Sequence, residues 1–97
     1  MNAYTLIKLK QSIRIAHDKL NDDIETDVDA CLADLRVHGI IYKDEDDALI
    51  FNAIKLYCKS LYTDDVVKSA EYKKRYNELR DCLKDAEGYG WEDADDE

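Results

Sequence analysis

The 97-residue chain contains no proline and three glycines, Gly39, Gly88 and Gly90. A sheet protein uses both residues freely at its turns, so an all-β or β-rich fold is excluded at the outset. There is no Gly-rich phosphate loop, no HExxH and no CxxC. Long apolar runs are absent as well. The greasiest stretch, "ALIFNAIKLYCKSLY" (48–62), is 15 residues and contains Lys55 and Lys59. A bilayer span needs about 20 apolar residues, so no membrane segment is expected. The opening "MNAYTLIKLKQ" has lysines within its apolar part and no small-residue cleavage site, so no secretory signal is expected there. Cys31, Cys58 and Cys82 are odd in number and widely spaced, each among apolar helical positions. They are expected to be reduced, packed thiols of a cytosolic protein.

What is present is helix-forming sequence, 45% apolar, with a net charge of −9. That composition suits one small globular domain. Charge is unevenly distributed: residues 1–20 carry +3, 21–50 carry −8, 51–91 carry +1 and the tail 92–97 carries −5. Periodicity predicts four helices. The first covers about Tyr4 to Ala16. The second covers Asp22 to His38, with Ile24, Val28, Cys31, Leu32 and Leu35 on one face. Asn21 is its expected N-cap, and Gly39 its left-handed C-cap, with Ile40 turning back onto Leu35. The third is 48–62, capped by Asp44 or Asp46. Its polar positions Asn52, Lys55 and Lys59 form one narrow stripe, as in a helix surrounded by the others. The fourth starts at Ser69 and ends before Gly88, with Tyr72, Tyr76, Leu79, Leu83 and Ala86 as its buried stripe. The fold expected is all-α: a compact bundle of about four helices over residues 1–88, with a flexible acidic tail over 89–97.

Candidate chemistry is sparse. Asp23, Glu25, Asp27 and Asp29 alternate like calcium-loop ligands, with Asp34 at the twelfth place, but Val28 stands where the loop needs glycine, the twelfth residue is Asp rather than Glu, and the apolar spacing is helical. They are expected to be a solvated helix face. His17 and His38 share no local motif with a cysteine or serine. "EYKKRYNELR" mixes basic and aromatic residues, diluted by Glu71 and Glu78, and is expected to be a plain helix surface rather than a nucleic-acid patch. No catalytic, metal or cofactor residue is nominated.

The order of features resembles one group of proteins. The acidic helix "DDIETDVDACLADLRVHGI" is followed by "DALIFNAIKLYCKSLY". Then comes a helix reading Glu71-x-x-x-Arg75-Tyr76-Asn77-x-Leu79-Arg80-x-x-Leu83, and finally Tyr89. Over residues 4–89 this resembles the small head–tail connector (adaptor or head-completion) proteins of long-tailed bacteriophages and prophages. The resemblance implies a non-enzymatic virion protein, made in the host bacterial cytoplasm and needing no cofactor. It forms a ring below the portal protein, helps retain packaged DNA and receives the stopper or tail-terminator protein. DNA passes through such a ring without sequence-specific binding. A ring needs one patch to meet a different patch. On that footing the expected subunit-interface residues are Lys8, Lys10 and Arg14 against Asp23, Asp27 and Asp34, together with Phe51 and Tyr62. The expected portal or partner contacts are Tyr89, Trp91, Glu92 and Asp93. The alternative of a different class is a small acidic helical inhibitor that mimics DNA.

Overall fold

A computed structural model describes residues 1–42, 47–86 and 88–89. Its elements are α1 (Ala3–Ser12), α2 (Asn21–Val37), α3 (Ala48–Tyr62) and α4 (Val66–Asp85), with no strand among the described residues. The all-α bundle of four helices expected from periodicity is therefore the fold. It is a slab of 41 × 30 × 18 Å. Helix α3 lies against all three others, most extensively against α4. Its Ile50, Ala53, Ile54 and Cys58 are buried. They meet Leu9 of α1, the Ile24–Leu35 stripe of α2, and Tyr76 and Leu83 of α4 in one core.

The polar stripe of α3 is present, but its lysines are half-buried. Lys55 lies 5.8 Å from the Phe51 ring and Lys59 5.5 Å from the Tyr72 ring. Each ammonium lies over an aromatic face in a cation–π arrangement. Leu49 and Leu61 stand exposed, so α3 is less completely covered than its composition suggests.

Helix ends explain where periodicity misplaced the boundaries. Helix α2 ends as expected: Gly39 has φ +81°, its N–H donates to the Arg36 carbonyl and the Ile40 N–H donates to that of Leu35. That pair of bonds is a Schellman motif, and it drives Ile40 into the core. Helix α1 stops at Ser12, earlier than expected, through the same motif. The Arg14 N–H donates to Gln11 and the Ile15 N–H to Lys10. Here the left-handed residue is Arg14, at φ +59°, where a side chain costs about 1–2 kcal/mol.

Three expected N-caps are corrected. Asn21 is the first residue of α2 rather than its cap. Its backbone N–H bonds the Asp18 carbonyl and its side-chain amide donates to the Asp18 carboxylate. Asp47 caps α3, accepting from the Leu49 and Ile50 N–H groups; Asp44 and Asp46 lie outside the described residues. Asp65 caps α4 through Val67 and Lys68. Helix α4 therefore starts three residues before Ser69, because an aspartate is at least as good a cap and comes earlier in the chain. The Ser69 hydroxyl instead donates to the Ser60 carbonyl at 2.6 Å, tying the end of α3 to the first turn of α4.

Beyond α4 the chain turns back. The Ile41 N–H donates to the Tyr89 carbonyl at 2.8 Å, and the Tyr89 hydroxyl lies 2.9 and 3.0 Å from the two Asp47 oxygens. Tyr89 thus straps the α2–α3 connection and packs on the core edge. Tyr89 therefore belongs to the folded unit, which corrects the expectation of a tail from residue 89 onward. Trp91, Glu92 and Asp93 lie outside the described residues.

Candidate functional site

Two concave surfaces flank α3. The first is a groove of about 560 Å³ between α2 and α4, with α3 as its floor. Ala30 and Ala33 form one wall, Val37 and Leu61 stand exposed at the rim, and Tyr57 and Tyr76 line it below. The small alanines of α2 leave room that a leucine would fill.

A polar network crosses this groove. The buried Tyr76 hydroxyl donates to Asp34 at 2.7 Å and accepts from the Cys31 thiol at 3.8 Å. Arg80 Nη1 donates to the same Asp34 oxygen at 3.3 Å, and the Arg80 guanidinium lies 5.9 Å from the Tyr76 ring centre. His38 Nδ1 sits 2.8 Å from the Asp34 carbonyl and 3.5 Å from its carboxylate. Tyr57 meets Tyr76 edge to face at 5.2 Å. Burial, followed by Cys31 and the hydrogen bond to Asp34, pushes the Tyr76 phenol far above its ordinary value. A second tyrosine repeats the arrangement: Tyr62 donates to Asp27 at 2.6 Å, and burial and that bond raise its pKa too. These phenols are locked donors, not proton shuttles near neutrality.

The second concave surface, about 520 Å³, lies at the same C-terminal end of α3 but opens between that end, the end of α1 and the start of α4. Arg14, Lys59, Lys68 and Tyr72 line it, with Asp64 and Asp65.

The residues nominated from sequence sort accordingly. Lys8 is exposed, its ammonium 5.2 Å from the Tyr4 ring and 5.0 Å from that of Phe51. Arg14 and Asp23 are exposed and available. Lys10 is corrected: it is 7% exposed, and its ammonium is spent on Asp18 at 2.7 Å inside the same chain. That cation holds the Asp18 carboxyl below the usual carboxylate range. Asp27 and Asp34 are half-buried acceptors for Tyr62 and Tyr76, so they serve the bundle first. Phe51 is half-buried between Lys8 and Lys55. The alternating acids of 23–34 lie on a continuous helix, which points them to different sides rather than at one centre. No three metal-ligating side chains converge among the described residues. Sequence reasoning missed Tyr76, Arg80 and Cys31 as one unit, since partners more than 40 residues apart leave no local spacing.

Cys82 corrects the reading of three packed thiols, because it lies on the wet face of α4. Burial pushes Cys31 and Cys58 up to about 12. A thiolate-selective reagent near pH 8 should therefore modify one thiol per native chain quickly and three in denaturant. Fast modification of two or more in the native protein would show that the core thiols are reachable.

No family model, curated protein or solved structure matches the chain significantly.

Proposed function

We propose that the chain is a non-enzymatic structural protein of the phage head–tail junction, assembling into a ring below the portal that completes the head and offers a platform to the stopper or tail. The observation that carries this reading is the separation of its exposed apolar side chains. Tyr4 and Ile7, 70% and 55% exposed, share one face of α1. Val37 and Leu61, 82% and 53% exposed, rim the groove between α2 and α4. At about 100° per residue, Phe51 and Lys55, on the α1 side of α3, are roughly 120° around the helix from Tyr57 and Leu61. Two unlike patches on different sides of one folded unit suit the head-to-tail contacts of a closed ring. The available cations Lys8 and Arg14 and the available acids of α2, Asp23 among them, add complementary charge. In this reading the residues beyond Tyr89, including Trp91, Glu92 and Asp93, also serve a protein contact.

The DNA-mimic alternative is less well supported, since it needs a row of free carboxylates and α2 commits Asp27 and Asp34 to tyrosines. The test is to mix the pure protein with DNA-filled, portal-bearing heads and separate bound from free by sedimentation. Bound protein should appear as a ring under the portal by electron microscopy, and Ile7→Glu or Leu61→Glu should abolish it while leaving the helical spectrum intact. Absence of binding to heads, with tight binding to a nuclease or repressor instead, would replace this reading with the inhibitor one.

A further inference from the structure

The concave surface at the C-terminal end of α3 gathers three cations on a chain of net charge −9. Arg14, Lys59 and Lys68 line it, and none has a carboxylate within ion-pair distance among the described residues. Two acids share the rim. Asp65 already accepts two backbone N–H groups as the cap of α4, which leaves Asp64 as the only rim carboxylate without a described partner on its side chain. Tyr72 supplies an aromatic wall under Lys59.

Arg14 is the second observation. It is the only described non-glycine residue with positive φ, and it occupies the position that Gly39 fills in the same motif at the end of α2. Glycine would satisfy that turn without strain. A strained arginine at a groove that already holds two lysines without a carboxylate partner among the described residues is the pattern of a binding residue rather than a structural one.

We propose that this groove receives the acidic C-terminal segment, residues 90–97, of a second copy of the chain. That segment carries five carboxylates and the chain's only tryptophan. Nucleic-acid phosphates share the anionic chemistry, but a chain this acidic repels DNA at long range. Occupancy within one chain is disfavoured by reach. Tyr89 is held on Asp47, at the start of α3. Lys59 lies twelve residues further along that helix, about 18 Å away. Glu92 and Asp93, three and four residues past Tyr89, extend about 10–14 Å at most, so the carboxylates cannot fill the groove of their own chain together. The contact is heterologous, groove of one copy to tail of the next, and it holds whatever the assembly serves.

Two full-length variants test it. One disables the groove, Arg14→Gly with Lys68→Ala. The other disables the tail, Asp93→Asn with Asp95→Asn and Asp96→Asn. Arg14→Gly suits its backbone, so the first variant keeps its helical spectrum and thermal midpoint. By sedimentation and Trp91 anisotropy, the wild-type chain self-associates at low salt and dissociates as salt rises. Each variant alone associates about tenfold more weakly or less. An equimolar mixture regains association but stops at dimers, because only one intact groove and one intact tail remain per pair. A monomeric mixture, or variants that associate as well as the wild type, would overturn the proposal. So would tail and groove resonances that shift together in dilute monomer, or an Arg14-dependent affinity for duplex DNA.

Discussion

Ile54→Ala should lower unfolding free energy by about 2–5 kcal/mol, and Leu35→Ala by a similar amount. Both side chains are fully buried. Ile54 sits at mid-length of the one helix that touches the other three, so the cavity would open where α2 and α4 converge on α3. The surrounding elements cannot close on it without moving apart elsewhere, because each is anchored to α3 by other core residues. Lys59→Ala is the control. It removes a half-buried side chain whose ammonium lies over the Tyr72 ring and should cost no more than about 1 kcal/mol. A urea titration in which Lys59→Ala proves the most damaging of the three would show that the faces of α3 are reversed.

The second large effect belongs to the network over the groove. Asp34→Ala removes the acceptor of a buried phenol and the partner of Arg80 together. An unsatisfied buried donor and a charge-assisted bond lost should cost about 2–3 kcal/mol. Adding Tyr76→Phe removes the stranded hydroxyl as well, so the double variant should be less damaged than the sum of the singles, by about 1 kcal/mol or more. Strict additivity in urea would mean that Tyr76 and Asp34 do not share a bond in solution. The same groups set the alkaline limit. The Tyr76 pKa is raised in the folded state, so its contribution is complete below the ordinary phenol value of 10.0 and is lost as pH climbs above it. Cys31 and Cys58 behave alike from their ordinary 9.0 up to about 12. Stability should therefore start to fall above about pH 9, and Tyr76→Phe should flatten the part of that fall beyond pH 10.

Local signals in the sequence reported local structure well. Gly39 followed by Ile40 specified the end of α2 because a Schellman motif is written in consecutive residues. The apolar spacing of Ile24, Val28, Cys31, Leu32 and Leu35 matched the buried face of α2 residue for residue. The misses share a cause: each depended on a partner distant in sequence or on a choice between neighbouring caps. Arg14 carries no mark of a left-handed turn, since only the fold places Ile15 where the motif needs it. Lys10 reads as a surface cation until Asp18 comes back over it. Tyr89, flanked by glycines and acids, reads as tail until Asp47 is found beneath its hydroxyl. The candidate groove between α2 and α4 was invisible for the same reason, as its walls come from three helices and its size from two alanines.

The strap made by Tyr89 has a consequence for synthesis. Asp47 caps the central helix, and Tyr89 completes that carboxylate's hydrogen bonding from a position 42 residues later. Helix α4, which covers more of α3 than any other element, is the last of these four helices to leave the ribosome. During translation the greasiest segment of the chain therefore emerges well before its main cover exists. The half-made bundle is a sticky intermediate that closes late, when α4 and Tyr89 arrive. A nascent chain arrested after residue 65 should be held by chaperones or aggregate, whereas one arrested with α4 and Tyr89 clear of the tunnel should already be native.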